Sequence, residues 1–286
     1  MFSRKQRTLK NDVSYCGLGV HTGQEVCMRF CPAPAGSGIS FKRMDLPGQP
    51  TIPAAVPYVC DTQRSTTLGV SDARVHTVEH VLAALRAYHI DNLLVEVSNL
   101  EPPIADGSSE RFVQMIEEAG VEELQDTVSI RRLQQPLYWS EKDIHLVALP
   151  YDGYRISYTL NYPKSAALQS QFLSIDVTTD NFRTKVGNCR TFSLYEEVSM
   201  LMDKGLIKGG SLDNAVVIKG DVVFSREGLR FPDEMVRHKV LDVIGDLSLV
   251  GFPFFAHVIA IRSGHASNHQ LAKIIYNYFA EDSQNV

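Results

Sequence analysis

The spacing of apolar residues predicts a helix, a strand and a second helix in the first half of the chain. Apolar side chains recur at helical spacing over residues 75–87, with Val78, Leu82 and Leu85 on one face. A β-rich run follows at 93–97. A loop then leads into a predicted helix over 110–119, which ends at a glycine.

The same order of elements recurs in the second half. Helical spacing covers residues 234–250, an apolar strand covers 255–261, and the pattern after the next loop predicts a helix over 269–279. Three further runs are typical of strands, at 25–30, 138–149 and 154–160. We interpret the repeated order as a structural duplication, with each half packing helices on one face of a mostly antiparallel sheet.

A polar segment at 120–136 separates the halves and is typical of a linker, because it follows a helix-stopping glycine and ends in proline. We therefore expect an α+β protein with domains at 1–126 and 127–286. The apolar stretch at about 190–212 is broken by three glycines, which indicates an insertion in the second domain.

Composition and charge argue against several classes of function. The 286 residues carry a formal net charge of -5, which argues against a nucleic-acid-binding protein with a broad basic face. No apolar run approaches the roughly 20 residues needed to span a bilayer, and the charged N-terminus does not resemble a signal peptide. Five cysteines without a C-x-x-C pair predict free thiols rather than a disulfide framework. We expect a cytoplasmic protein.

A possible metal site begins at His76, Glu79 and His80. On a helix the two histidines would share one face, and the carboxylate would lie beside them. Imidazoles bind zinc, and an adjacent carboxylate can accept a proton from a metal-bound water. The spacing matches the H-x-x-E-H pattern of inverted zinc peptidases. A solvated helix surface explains the same pattern.

A second group lies on the helix predicted over 234–250. His238, Asp242 and Asp246 follow one another at intervals of four, in a single stripe beside a largely apolar face. Burial of three unpaired ionisable groups would be costly. The stripe is therefore either solvated, or it contains two metal ligands and a carboxylate that orients a neighbour.

A third group, Ser263-Gly264-His265 followed by Asn268 and His269, lies in a predicted loop between a strand and a helix, a common position for catalytic groups. Together the three groups supply two histidines and an aspartate as ligands, a glutamate base and a further histidine with a carboxylate to orient it. Three protein ligands leave a fourth position for water, as in catalytic zinc sites.

With these residues in view, the chain resembles the zinc-dependent UDP-3-O-acyl-N-acetylglucosamine deacetylase family. The resemblance extends nearly from end to end of the chain. It is carried by GLGVHTG at 17–23, TVEH at 77–80, IDN at 90–92, PPIADGS at 102–108, RTF at 190–192, GGSLD at 209–213, RHKVLDVIGD at 237–246 and SGH at 263–265.

The resemblance implies a pair of β-α sandwich domains, each with a small insertion, and an active site between them. It implies one Zn²⁺ bound by His80, His238 and Asp242, with Fe²⁺ as the alternative metal. His76 is not a ligand in that family, so we expect it on the helix surface.

The resemblance further implies hydrolysis of the acetamide of UDP-3-O-acyl-N-acetylglucosamine to acetate and UDP-3-O-acyl-glucosamine, the committed step of lipid A biosynthesis. Glu79 is the expected base. Lys239 and Thr191 are expected to stabilise the oxyanion. His265, held by Asp246, is expected either to donate to the leaving amine or to stabilise the oxyanion.

Substrate contacts follow from the three parts of that substrate. Lys239, Arg262 and Tyr162 are candidates for the uridine diphosphate. The insertion that begins at Phe192 is our candidate for the wall of an acyl-chain groove. Its apolar residues are Leu194, Val198, Met200, Leu201, Leu206 and Ile207, and packing of the insertion's own small core explains them equally well.

Two other functions compete with deacetylation. A zinc peptidase would require His76 as a ligand, and a non-catalytic sugar-nucleotide binding module would not need Glu79, His265 and Asp246. We expect a monomer, because a two-domain chain completes its own site. Asp106 occupies the position in the first repeat that His265 has in the second, so we also expect Asp106 near the site.

Overall fold

The computed structural model describes residues 2–163, 165, 167–203 and 205–282, and these form six α-helices and eighteen strands. The helices are α1 (Glu79–Ala87), α2 (Glu110–Ala119), α3 (Thr179–Lys185), α4 (Tyr195–Asp203), α5 (Glu234–Ser248) and α6 (His265–Asp282). The strands in the first half are β1 (Phe2–Leu9), β2 (Val13–Leu18), β3 (Glu25–Pro32), β4 (Ile39–Arg43), β5 (Thr51–Pro53), β6 (Val59–Asp61), β7 (Thr67–Val70), β8 (Ala73–Val75) and β9 (Leu93–Val97). Those that follow are β10 (Val121–Arg132), β11 (Leu137–Glu141), β12 (Ile144–Leu149), β13 (Tyr154–Tyr162), β14 (Gln169–Asp176), β15 (Phe192–Leu194), β16 (Val216–Lys219), β17 (Val222–Phe224) and β18 (Phe254–Ile261).

The first half is built on a five-stranded sheet with the order β2-β3-β9-β4-β5. Strand β3 shows why the sheet has one buried face. Val26, Met28 and Phe30 are buried and alternate with exposed residues, the period-two pattern of a half-buried strand. Helix α2 packs on β2 and on α1.

The second half is built on a seven-stranded sheet in which β18 is central. Strand β18 pairs with β10, β12 and β13, and its residues alternate between buried and partly exposed. Strand β1 pairs antiparallel with β10, so the start of the chain belongs to this sheet. Helix α5 packs on β13 and β14, and α6 packs on β11 and β12.

The two halves meet through their helices, with α1 against α5. Helices α1, α2, α5 and α6 therefore lie between the two large sheets. Most strand pairings are antiparallel, while β4-β9, β10-β18, β13-β18 and β15-β16 are parallel. The predicted α+β class with helices on mostly antiparallel sheets is confirmed.

Each half also carries a small three-stranded sheet. Strands β6, β7 and β8 form one, and β15, β16 and β17 form the other, with α4 between β15 and β16. The second small sheet begins within the insertion predicted at about 190–212 and extends to Phe224.

Three predicted elements differ from the structure. The helix expected from residue 75 begins only at Glu79, because Thr77 adopts a left-handed backbone conformation (φ 54°) that interrupts the apolar periodicity. The strand expected over 138–149 is a hairpin, β11 and β12. The last helix begins at His265, four residues before its predicted start, so His265 is not in a loop.

The segment expected to be a linker, 120–136, forms strand β10 over most of its length. Its polar composition reflects exposure rather than loop structure, because every β10 residue is exposed or half-buried. The predicted domain boundary at residue 126 lies inside this strand, which pairs with both β1 and β18.

The prediction that all five cysteines are free thiols is wrong. Cys16 and Cys27 form a disulfide, while Cys31, Cys60 and Cys189 are free. The reason is the register of the β2-β3 hairpin, which places these two residues directly opposite each other. Among the described residues, no helix combines the length and apolar character that crossing a lipid bilayer requires.

Candidate active site

Two helices from different halves bring the candidate residues together. Helix α1 begins with Glu79 and His80, and α5 carries His238, Asp242 and Asp246. The helices can approach closely because α5 has a glycine at the crossing. A Cβ atom on Gly245 would lie only 2.1 Å from the carbonyl oxygen of Glu79, so a larger residue would force the helices apart.

His80, His238 and Asp242 form a buried cluster that could hold a metal ion. Their ligand atoms all lie within 4.8 Å of one another. Asp242 Oδ1 lies 3.4 Å from His238 Nε2 and 3.8 Å from His80 Nε2. Within the described part of the chain, this oxygen is buried and has no hydrogen-bond donor. Since unpaired buried carboxylate oxygens are costly, the donor set fits a cation at this point.

Both histidines of the cluster are held in the neutral form, in which imidazole binds a metal. Burial, followed by repulsion from His238, lowers the pKa of His80 to about 3. Burial likewise lowers the pKa of His238, against the attraction of Asp242. The Nδ1 atom of His238 lies 3.0 Å from the carbonyl oxygen of Cys189, an arrangement that orients the ring and leaves Nε2 for a metal.

Asp242 is held ionised. Burial alone would raise its pKa, but the positive charge of Lys239, together with that of protonated His265, outweighs burial and holds the pKa of this carboxyl well below its usual range. Lys239 Nζ donates to Asp242 Oδ2 at 2.7 Å. Burial opposes the charge on Lys239 as well, yet the attraction of Asp242 keeps the pKa of this lysine above its ordinary value.

Glu79 and His265 form a second pair beside the cluster, with 3.9 Å between Oε1 and Nε2. Burial is the main reason that the pKa of Glu79 rises to about 7, with His265 opposing the rise. Burial would lower the pKa of His265, but Asp246 and Glu79 outweigh it and raise that pKa to about 10. The pair therefore combines a carboxylate that titrates near neutrality with a protonated imidazole.

Asp246 orients His265. Its Oδ2 atom lies 2.9 Å from His265 Nδ1 and accepts a 2.8 Å hydrogen bond from Asn268. Its Oδ1 atom accepts from the hydroxyl of Thr66 at 2.6 Å. The sequence pattern pointed to Asp246, His265 and Asn268 but not to Thr66, which stands at no recognisable spacing from the others.

The ligand cluster, Glu79 and His265 open into a cavity of about 810 Å³. Glu79, His80, His238, Lys239, Asp242, His265 and Thr191 all line it, as do Tyr162, Phe192, Val198, Leu201, Ile207 and Arg262. Leu194 and Leu206 also line it, whereas Met200 does not and is 55% exposed. The inclusion of Met200 in the groove wall was therefore wrong, because its side chain lies on the solvent side of α4.

Aromatic and cationic groups meet on one side of the cavity. The ring of Phe192 lies 6.2 Å from Tyr162 and 6.5 Å from His238, and Lys239 Nζ lies 5.6 Å from its centroid. Arg262 also lines the cavity and pairs with Asp143 at 3.1 Å. His21 and Trp139 line it too. His21 belongs to the GLGVHTG motif, whereas no sequence pattern pointed to Trp139.

His76 lies outside the ligand cluster. It precedes α1 and is half-buried, and its Nδ1 atom bonds to the Thr67 hydroxyl at 2.7 Å. The expectation of a helix-surface position is wrong because the helix starts three residues later. Asp106 does not line the cavity. It pairs with Arg230 at 2.6 Å. The carbonyl oxygen of the next residue, Gly107, accepts a hydrogen bond from the backbone N–H of Thr191.

Arg190 and Glu234 form a buried ion pair close to the ligand cluster. Arg190 donates to Glu234 from its backbone N–H and from its guanidinium at 2.9 Å, and both side chains are almost fully buried. Glu234 is the first residue of α5, and Arg190 follows Cys189, the carbonyl partner of His238. The pair therefore ties the start of α5 to the segment that carries Thr191.

The chain is similar to a family of known enzymes over nearly its whole length. A family model described as UDP-3-O-acyl N-acetylglycosamine deacetylase matches residues 6–277. The UDP-3-O-acyl-N-acetylglucosamine deacetylase of Chlamydia felis is 51% identical over 275 residues, covering 96% of this chain and 98% of the relative. The enzyme of Chlamydia pneumoniae is 50% identical over 276 residues, with the same coverage, and that of Chlamydia trachomatis serovar D is 47% identical over 275 residues, covering 96% of both chains. The chain belongs to the UDP-3-O-acyl N-acetylglycosamine deacetylase family of amide-hydrolysing enzymes.

Proposed function

We propose that this protein hydrolyses the acetamide of UDP-3-O-acyl-N-acetylglucosamine with one zinc ion, giving acetate and UDP-3-O-acyl-glucosamine, the committed step of lipid A biosynthesis. The observation that carries the proposal is the position of Glu79 and His265, 3.9 Å apart beside a buried His-His-Asp cluster. The printed names of the relatives support the substrate.

The cluster suits zinc, with two imidazole nitrogens and one carboxylate oxygen as protein ligands. Iron(II) accepts the same donors and is the alternative. A divalent ion held by His80, His238 and Asp242 would act as a Lewis acid and would lower the pKa of a water molecule.

Glu79 is the proposed general base. A carboxylate with a pKa of about 7 is ionised in half of the molecules at neutral pH, and it is basic enough to accept a proton from a nucleophilic water. The backbone N–H of Thr66 donates to Glu79 Oε2 at 3.0 Å, which leaves the other oxygen facing His265.

His265 is the proposed acid. With a pKa of about 10 it holds its proton throughout the neutral range, and that proton is available for the leaving amine or for an oxyanion. Thr191 and Lys239 line the same cavity, and we assign their hydroxyl and ammonium groups to the developing oxyanion. Such donors act strongly where water is excluded.

The remaining cavity residues suit the other parts of the substrate. Tyr162 and Arg262 offer one aromatic ring and one cation for a uridine diphosphate. The apolar side chains of Val198, Leu201 and Ile207 offer a wall for the acyl chain.

The test combines metal analysis with an acetate-release assay on the wild type and on Glu79→Gln. We expect about one bound zinc in both proteins and a loss of turnover of about 10² to 10⁴ in the variant, the usual range for a general base. A variant that loses its metal would make Glu79 a ligand. A wild type that binds zinc but releases no acetate from this substrate would favour the binding-module alternative.

A further inference from the structure

Thr66 contacts both halves of the proton-transfer machinery. It lies between β6 and β7 and is 1% exposed. Its backbone N–H donates to Glu79 Oε2 at 3.0 Å, and its hydroxyl donates to Asp246 Oδ1 at 2.6 Å. One residue thus bonds to the carboxylate assigned as base and to the carboxylate that orients His265.

The hydrogen bond from the Thr66 hydroxyl to Asp246 joins the two halves of the protein. Thr66 precedes β7 in the first half, and Asp246 lies on α5 in the second. The other oxygen of Asp246 is already occupied by His265 and Asn268, both on α6. The rotation of the carboxylate about its own axis is therefore set by the Thr66 hydroxyl on one side and by α6 on the other.

We propose that Thr66 is a positioning residue that sets the distance and orientation between Glu79 and His265. This inference rests on the proposed deacetylase function. Charge-assisted hydrogen bonds to carboxylates are short and directional, so the two bonds from Thr66 hold two carboxylates at a fixed spacing. A shift of Asp246 would be passed to His265 through the 2.9 Å contact with its ring.

The two bonds can be separated by mutation. Thr66→Val keeps the backbone N–H that serves Glu79 and keeps the side-chain shape, but removes the hydroxyl that serves Asp246. Thr66→Ser keeps both donors. The adjacent Thr67 is a matched control, since it is also buried and its hydroxyl bonds to His76 outside this network.

We expect Thr66→Val to lower kcat by about 10- to 100-fold, the usual cost of losing a partner that orients a functional group. KM should stay within about twofold and the metal content should not change, since the substituted group does not reach the ligands. Thr66→Ser and Thr67→Val should retain most of the wild-type kcat. In an Asp246→Ala background, Thr66→Val should cause no further loss, because the acceptor of its hydroxyl bond is gone.

A second readout does not depend on turnover. The Nδ1 proton of His265 shared with Asp246 should give a downfield proton NMR signal, identified by its loss in His265→Gln. We expect this signal to shift in Thr66→Val and to stay in place in Thr66→Ser and Thr67→Val. A wild type without deacetylase activity would refute the proposed function, and the NMR comparison would still decide the role of Thr66. An unchanged signal and kcat in Thr66→Val, or an equal loss in Thr67→Val, would overturn the inference.

Discussion

Gly245 on α5 and Glu79 on α1 are in backbone contact, and a Cβ atom on the glycine would come within 2.1 Å of the glutamate carbonyl oxygen. The contact sits at the centre of the site, because Asp246 follows Gly245 and His80 follows Glu79. The absence of one side chain thus allows residues from two halves to share a single cluster.

Gly245→Ala should therefore impair both stability and catalysis. The added methyl must displace backbone rather than a flexible side chain, and such overpacking typically costs about 1 to 3 kcal/mol. Urea unfolding and acetate release measure the two effects. Ser248→Ala, at the end of the same helix and only partly buried, should leave turnover close to that of the wild type. Full activity in Gly245→Ala would mean that the helix contact does not set the site geometry.

The two histidines around Glu79 should behave differently towards metal. His80→Ala should lower zinc affinity by more than about 100-fold, since losing a direct ligand costs more than losing an outer partner. His76→Ala should retain its zinc, because His76 bonds to Thr67 and lies outside the cluster. Metal content after dialysis against a weak chelator distinguishes them. Loss of zinc from His76→Ala would instead favour the peptidase-like ligand set.

Local sequence patterns predicted much of this fold because the periodic burial of a helix or strand depends on residues that are close together in the chain. The helix at 110–119 and the strand at 93–97 occur at those same residues, since periodic burial shows in a short window. The start of α1 was misjudged because Thr77 leaves the helical region of backbone space without any change in apolar spacing. A single sequence cannot show such a conformation.

The site residues also divide into those that local spacing predicts and those that it does not. His238, Asp242 and Asp246 could be found because a regular helix places every fourth residue on one face. Thr66 could not, since its partner Asp246 is 180 positions away and the contact depends on how α5 meets the β6-β7 connection. The Cys16–Cys27 disulfide was missed for a related reason. Its formation depends on the register of a hairpin, and the number and spacing of the cysteines do not predict that register.

Breaking the Arg190–Glu234 pair should destabilise the protein in a pH-dependent way. Burial would raise the pKa of Glu234, but its hydrogen bonds with Arg190 outweigh burial and lower it. A carboxyl with a lowered folded-state pKa contributes stability above its unfolded pKa of about 4.3, and loses that contribution as pH falls through the folded value. Glu234→Gln should thus cost about 3 kcal/mol at pH 7, and the difference from the wild type should shrink below about pH 4.

Urea unfolding at a series of pH values measures this difference. Glu227→Gln is the control, since Glu227 is exposed in a neighbouring segment and should change stability little at any pH. A pH-independent difference between Glu234→Gln and the wild type would indicate that lost packing, rather than the ion pair, accounts for the change.

The Cys16–Cys27 disulfide should stabilise the β2-β3 hairpin. It joins residues 11 positions apart, and closing a loop of this length removes unfolded-state entropy worth about 2 to 3 kcal/mol. The Cys16→Ser/Cys27→Ser double variant should be less stable than the oxidised wild type by that amount, while Cys60→Ser, at an exposed free cysteine, should not. Equal stability of oxidised and reduced wild type would argue against the contribution.

The pH dependence of kcat/KM should be bell-shaped, with Glu79 responsible for the acid limb and His265 for the alkaline limb. Glu79 must lose its proton to act as base, so the rate should fall below its pKa, about 7. His265 must keep its proton, so the rate should fall above its pKa, about 10. A cation held by His80, His238 and Asp242 would stabilise deprotonated neighbours, so it should shift both limbs to lower pH without changing their order.

Rate profiles of the wild type, Glu79→Gln and His265→Gln assign the limbs. The residual activity of Glu79→Gln should lack the acid limb, and that of His265→Gln should lack the alkaline limb, each at a cost of about 10² to 10⁴ in rate. His269→Gln, one turn further along α6, should keep both limbs. If His265→Gln kept the alkaline limb, another group would have to supply the proton, and Lys239, whose pKa is also raised by its buried carboxylate partner, would become the leading candidate.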